Sequence, residues 1–308
     1  MENKKAFGHA LAIFTIFIWG TTFISTKILL QAFQPVEILF FRFVMGFILL
    51  WITNPHRLPF KSWKQELTFA GAGLTGMTLY YLMENIALTY SQASNVGVIV
   101  SIAPVFTAIT AHIFLKEEGK LRPAFFMGCV IALIGISLIS FSGTTMHLNP
   151  IGDLLSVGGA IIWSFYSVLS KKIGSFGYSV VQATRRTFFY GILFMIPALF
   201  IFDFKWDLIR FATPAYLFNI FYLGLGASAI CFVTWNMAVR ILGAIKTSVY
   251  IYLAPVVTAV TSVIILHEKI TFLSGLGILL VVGGLLLSEQ KKKFFSIRGR
   301  KQAENVIE

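Results

Sequence analysis

The stretch ASNVGVIVSIAPVFTAITAHIFLKE at Ala93–Glu117 returns as AIKTSVYIYLAPVVTAVTSVIILHE at Ala244–Glu268. At this fixed offset of 151 residues, 11 of the 25 positions are identical, including Pro104/Pro255, Thr107/Thr258, Thr110/Thr261 and Glu117/Glu268. Upstream, Asn85-Ile86-Ala87 answers Asn236-Met237-Ala238. At an offset of 144, Ile18-Trp19…Lys27 answers Ile162-Trp163…Lys171. The chain is a duplication. Its fold depends on how many times each copy crosses a membrane.

Of the 308 residues, 57% are hydrophobic and 12% charged, with a mean hydropathy of +0.81. A soluble domain carries roughly twice that charge. A hydrocarbon core of about 30 Å needs about 20 apolar residues per helix. Ten such spans are expected near 8–30, 36–53, 67–90, 93–115, 123–141, 153–171, 179–201, 214–239, 242–266 and 271–288. Five spans per copy turn the second copy upside down. The expected fold is therefore an all-α integral membrane protein with ten transmembrane helices in two inverted-topology five-helix repeats. Residues 8–141 and 153–288 are the repeats, 1–7 a cytoplasmic N-terminus and 289–308 a basic cytoplasmic tail. Inverted repeats are the architecture of alternating-access transporters. Span 1 follows Lys4-Lys5 but lacks a cleavage site, exceeds a signal core in length and has a repeat partner, so it is read as a helix that stays.

The net charge of +12 is distributed as a membrane protein requires. With the N-terminus inside, the inner segments hold 18 of the 25 cations and the outer segments three (Lys205, Arg210, Lys269), with four within spans. That asymmetry puts both termini in the cytoplasm, in the inner membrane of a prokaryote. The Lys291–Lys301 tail suits anionic lipid headgroups, and no nucleic-acid partner is expected. Cys129 and Cys231 lie inside spans as packing residues, and no metal or cofactor is expected.

Polar side chains in hydrocarbon face the bundle interior or a cavity. Trp19 and Thr22 in span 1, Thr78, Tyr81 and Asn85 in span 3, and Ser101 in span 4 mark a substrate pathway. Their counterparts are Trp163 and Tyr166 in span 6, Asn236 in span 8, and Ser248 and Tyr252 in span 9. Spans 1, 3, 4, 6, 8 and 9 then line the path. Spans 2, 5, 7 and 10 buttress it or mediate contacts in a homodimer. Such hydroxyls also bond to their own helix backbone, and the two asparagines need a helix or a substrate as partner. Pro104 and Pro255 sit mid-span and each removes a backbone hydrogen bond, giving either a hinge or a static kink. Glu84 is open to two roles, a coupling carboxylate or an ion pair with Lys27 or Arg42. Glu117 and Glu268 close spans 4 and 9, where they suit the start of the next helix.

Taken together these motifs resemble the EamA family of the drug/metabolite transporter superfamily. They appear twice: Trp19-Gly20…Phe23…Lys27 and Trp163-Ser164…Lys171, then Ala87-Leu88-Thr89-Tyr90-Ser91-Gln92-Ala93…Pro104…Leu115-Lys116-Glu117 and Ala238…Gly243-Ala244…Pro255…Leu266-His267-Glu268. The resemblance covers about 8–288. It departs at Ser164, where the first copy has Gly20, and at Lys116 and His267, each replacing a Gly. It implies ten helices with both ends cytoplasmic, and a carrier of small organic solutes, often an exporter of amino acids or related metabolites. Related small multidrug proteins couple protons through an acid in their first helix; span 1 here has none.

The expected function is a secondary active transporter that exports small polar or amphipathic metabolites by alternating access. A passive facilitator or an importer with the same fold is the near alternative. No GxxxxGK[ST] signals direct use of ATP, and no HExxH or GxSxG signals an enzyme. A channel would require ring-like selectivity elements, which a two-copy chain does not suggest.

Overall fold

The computed structural model describes residues 2–91, 93–115, 123–141, 149–257, 260 and 272–289, and every regular element among them is helical. The first half contains α1 (Glu2–Leu29) and α2 (Pro35–Thr53). Next comes α3 (Trp63–Gly73), which runs through a π-helical stretch, Leu74–Leu79, into α4 (Tyr80–Tyr90). It ends with α5 (Ala93–Val100), α6 (Ala103–Phe114) and α7 (Pro123–Phe141). The second half contains α8 (Pro150–Gly174), α9 (Val180–Ile201) and α10 (Pro214–Phe221). The last runs through a second π-helical stretch, Tyr222–Ile230, into α11 (Cys231–Leu242). Then follow α12 (Ala244–Val249), a 3-10 turn at Tyr250–Tyr252, and α13 (Phe272–Glu289). Thr258, Thr261, Glu117, Glu268 and the basic tail lie outside the described residues.

Six of the described helices are long and apolar enough to cross a membrane: Asn3–Leu29, Pro35–Thr53, Val96–Phe114, Pro150–Gly174, Val180–Ile201 and Pro214–Leu242. Shorter apolar helices occupy Pro123–Leu138, Ala244–Val257 and Gly275–Ser288. Helix starts are written in the sequence. Pro35, Pro150 and Pro214 stand in the first turn of their helices, where the missing N–H costs nothing. Gln34 and Glu37 form a capping box on α2, and Asn149 Oδ1 accepts from the amides of Ile151 and Gly152 at α8.

The inversion is visible in which ends meet. The start of α1 lies against the end of α11, where a Cβ on Gly8 would meet Ile241 and Leu242. Further along, Thr21 bonds Tyr222 ahead of α11, so α1 is antiparallel to α11. In α8, Ser170 bonds Asn236 and Gly174 lies on Arg240, so α8 is parallel to α11. Hence α1 and α8, the first helix of each half, run in opposite directions. The same pairing recurs with roles exchanged: α8 starts at Ser91, the end of α4, and passes Tyr80 at Gly159.

The halves therefore interleave around one core. Among its largest fully buried side chains are Phe43, Phe69, Tyr166, Phe188, Phe232 and Trp235. Close backbone approach relies on glycine. A Cβ on Gly191 of α9 would sit 2.6 Å from Met77 Cβ, and one on Gly73 2.6 Å from the Gly191 amide nitrogen. The mirrored crossing has Gly46 of α2 facing Gly224, 151 positions after Gly73. Two buried carboxylates clamp the halves at opposite ends. Glu37 takes both Arg210 guanidinium nitrogens at 2.9 and 3.1 Å, and Glu66 takes Arg186 at 2.8 and 3.1 Å.

Helices α7 and α13 pair with each other at the side of the bundle. A Cβ on Gly284 would lie 2.5 Å from the Gly128 carbonyl oxygen and 2.6 Å from the Ala132 nitrogen, whereas one on the adjacent Gly283 meets nothing within 4 Å. Backbone cannot move aside as a side chain can, and overpacking of this kind costs about 1–3 kcal/mol. We expect Gly284→Ala to lower the thermal unfolding midpoint of detergent-purified protein. Gly283→Ala should leave it unchanged or raise it, as alanine is the better helix former. Equal midpoints for the two variants would contradict this packing.

Candidate functional site

A cavity of about 520 Å³ lies where the halves cross, lined by Trp19, Thr22 and Phe23 of α1, Tyr80, Tyr81 and Glu84 of α4, and Trp163 of α8, with Gly97, Val100, Ser101, Ile251 and Ala254. Its walls coincide with irregular backbone. The fourth span breaks at Ser101-Ile102 between α5 and α6, with Pro104 in the first turn of α6. The equivalent place in the second half is the 3-10 turn Tyr250–Tyr252, three residues before the buried Pro255. Both interruptions contribute to the lining.

The wall is strongly aromatic. Trp19 and Trp163 meet edge to face with centroids 5.4 Å apart, and Tyr80 lies 4.8 Å from Trp163. The two indoles are not equivalent. Trp19 Nε1 donates to the Ala227 carbonyl at 2.9 Å, so that N–H is spent on the second π-helical stretch. Trp163 Nε1 is buried with no partner among the described residues, although its ring lines the cavity.

Glu84 is the acid of this wall and is only 4% exposed. Neither cation considered from the sequence forms a salt bridge with it. Lys27 Nζ donates to the Leu88 carbonyl at 2.5 Å, and Arg42 Nε to Ser228 Oγ at 3.0 Å. Arg42 is fully buried behind Tyr81, its guanidinium carbon 4.3 Å from that ring. Its two terminal nitrogens have no partner among the described residues. The Tyr80 hydroxyl and, at longer range, Arg42 act on the Glu84 carboxyl group.

A second cavity of about 350 Å³ lies further along α8, lined by Tyr166, Ser170, Gly174, Tyr178, Asn236 and Arg240 among others. Asn236 Oδ1 accepts from Tyr166 and Ser170, each at 2.7 Å, and its amide donates to Thr184 at 3.0 Å. Trp163 and Tyr166, one helical turn apart with ring centroids 4.9 Å apart, stand between the two cavities. Tyr166 fits because Gly76, in the first π-helical stretch, has no Cβ to meet its ring.

The structure thus gathers Trp19, Thr22, Tyr81, Glu84, Ser101 and Trp163 around one cavity, and Tyr166 and Asn236 around the other. The remaining residues marked in the sequence go elsewhere. Thr78 donates to the Gly191 carbonyl of α9 at 2.9 Å. Asn85 donates to the Pro35 carbonyl at the start of α2 at 3.1 Å and is fully buried. Ser248 donates back to Ile245 in its own helix, and Tyr252 is buried beside Cys129. Sequence reasoning passed over Tyr80, and it named Phe23 and Arg42 without assigning either to the pathway. Tyr80 had a signal, since a doubled tyrosine beside an acid inside a span is rare chemistry in hydrocarbon.

Comparison with known proteins agrees with this architecture. The EamA-like transporter family matches twice, over residues 6–141 and 150–289. An uncharacterized transporter of Archaeoglobus fulgidus is 28% identical over 295 residues, covering 94% of this chain and 99% of the relative. Uncharacterized transporter YvbV of Bacillus subtilis is 27% identical, covering 92% of each chain. A protein of Streptantibioticus cattleyicolor named "Probable terminal-alkyne amino-acid exporter" is 24% identical, covering 91% of this chain and 92% of the relative. A solved crystal structure superposes with a TM-score of 0.74 at 20% identity, covering 92% of this chain and 96% of that one, which supports the fold. The duplicated, oppositely directed halves and both family matches have one meaning: the chain belongs to the EamA-like transporter family, as a multi-pass membrane transporter of a small-molecule substrate and not an enzyme.

Proposed function

We propose that this chain is a secondary active transporter that exports small amphipathic metabolites, amino acids or related compounds, by alternating access around the central cavity. The observation that carries the proposal is the cavity wall itself. An acid without an ion pair and an indole N–H without an acceptor among the described residues, together with several aromatic faces, converge where both halves interrupt a helix. Glu84 suits an ammonium group, the Trp163 N–H suits a carboxylate, and the aromatic faces suit an apolar side chain. The name of the Streptantibioticus relative points to the same substrate class.

The Trp163–Tyr166 pair is then the partition that opens toward the second cavity. The charge asymmetry of the loops supports a cytoplasmic position for that cavity and for both termini, in the inner membrane. Pro104 and Pro255 prevent the interrupted helices from re-forming a continuous ladder and serve as hinges. Glu84, the only acid among the described residues of the wall, is the coupling group.

Counterflow in proteoliposomes tests the proposal. Vesicles are loaded with an unlabelled amino-acid mixture and labelled members are offered outside. Saturable exchange of one class is expected. Trp163→Phe keeps a ring and removes one donor, worth about 1 kcal/mol; the half-saturation concentration should rise roughly fivefold. Asn85→Ala should lower the thermal midpoint yet leave that concentration unchanged, because Asn85 bonds α2 and not the cavity. If Glu84 couples transport to protons, Glu84→Gln should abolish accumulation driven by a pH gradient while retaining counterflow. No exchange from any pool by intact protein would reject the amino-acid assignment. Gradient-driven accumulation that survives in Glu84→Gln would reject its coupling role.

A further inference from the structure

An open cavity of about 610 Å³ lies away from the substrate site, between the end of α2 and the start of α9. Its lining combines Arg57, Arg185 and Arg186 with Phe47, Trp51 and Phe189. Three guanidiniums beside three aromatic rings is an unusual composition for a surface that abuts hydrocarbon. Trp51 and Phe189 are 39% and 47% exposed, and neighbouring Ile52 and Phe60 are 70% and 55% exposed. The cavity therefore opens on the bilayer side of the bundle at the level of a connecting loop.

The arginines are differently employed. Arg186 is neutralised by Glu66 in a two-pronged pair. Arg185 lies over the Trp51 ring at 4.6 Å and donates to the carbonyls of Asn54 and His56, and among the described residues its charge has no carboxylate partner. Arg57 has no hydrogen bond or ion pair among the described residues and is exposed. Two uncompensated positive charges remain, one held rigidly and one free to reach. Beside them an aromatic floor continues into the lipid-facing surface of α9 through Leu193, which is 47% exposed.

We infer that this cavity is a binding site for an anionic phospholipid, its phosphate held by Arg57 and Arg185 and an acyl chain lying along Phe47, Trp51 and Phe189. Basic pockets between helices at the membrane surface are suited to such headgroups, and guanidinium matches phosphate geometry. A zwitterionic lipid would bring an ammonium group against the same arginines. Because α2 belongs to the first half and α9 to the second, the bound lipid joins the two repeats.

Native mass spectrometry of the full chain in mild detergent tests this. Phosphatidylglycerol and phosphatidylcholine with identical acyl chains are titrated against wild type, Arg57→Gln and Lys172→Gln; the last removes an exposed charge at the end of α8 that does not line the cavity. A cation at the membrane surface contributes about 1 kcal/mol. Phosphatidylglycerol should therefore bind about fivefold more weakly to Arg57→Gln, since 1.4 kcal/mol is tenfold. It should bind undiminished to Lys172→Gln and better than phosphatidylcholine to wild type, and millimolar inorganic phosphate should not displace it. Four results would overturn the inference: wild-type affinity in Arg57→Gln, an equal loss in Lys172→Gln, equal binding of the two lipids, or displacement by phosphate, which would indicate a site for a free anion.

Discussion

A backbone carbonyl that loses its helical partner in hydrocarbon finds no water to replace it, so protein or a cavity must meet it. This constraint organises the molecule. Four departures from α-helix occur near the crossing of the halves: the two π-helical stretches, the break at Ser101-Ile102 and the 3-10 turn at Tyr250–Tyr252. Side chains satisfy much of what these free. Thr75 and Ser101 donate to carbonyls four residues back, and Trp19 donates across to the Ala227 carbonyl within the second π-helical stretch. Residues with a polar tip thus hold irregular backbone together and, in doing so, bring their rings into one wall.

Inversion doubles each solution. The π-helical stretches fall at matching places, since Leu74–Leu79 shifted by 151 lands within Tyr222–Ile230. Gly73 meets α9 as Gly224 meets α2. One set of contacts therefore supports both ends of the bundle with the roles of the repeats exchanged, and the clamps Glu37–Arg210 and Glu66–Arg186 stand at opposite ends. A rocking carrier needs such a frame, in which closing one end and opening the other exchange contacts of similar kind.

The duplication, the helical character and the opposed directions were legible because they depend on hydropathy and on pairs such as Pro104/Pro255. The cavity wall was legible in part. Trp19, Trp163, Tyr81 and Glu84 were marked as polar-tipped groups inside spans, and they meet. Thr78 and Asn85 lie three residues before and four residues after Tyr81, a spacing that shares one face of a regular helix. That spacing assumes 3.6 residues per turn, and the π-helical stretch directly before Tyr80 alters the phase. Thr78 thereby faces α9, whereas Tyr81 and Asn85 share the regular helix α4, in which Tyr80 joins Tyr81 on the wall and Asn85 reaches the Pro35 carbonyl of α2. No local motif announces a π-helical stretch, because it is imposed by Gly73 and Gly76 fitting against α9 and Tyr166 in the folded bundle.

Arg42 shows what the interior leaves unfinished. Burying a guanidinium costs several kcal/mol. Here one hydrogen bond to Ser228 and the faces of Tyr81 and Phe43 offset part of that, a cation over a desolvated ring contributing about 2 kcal/mol. Glu84, an acid on the other side of the tyrosine pair, forms no salt bridge with it, and the Trp163 indole beside it has no acceptor among the described residues. Replacing such groups with apolar ones of similar size would favour stability alone. Their joint presence around one cavity is most economical if a partner arriving there completes them. A zwitterionic substrate would supply both an ammonium group for Glu84 and an acceptor for Trp163, and it would relieve more of the burial cost than a neutral solute.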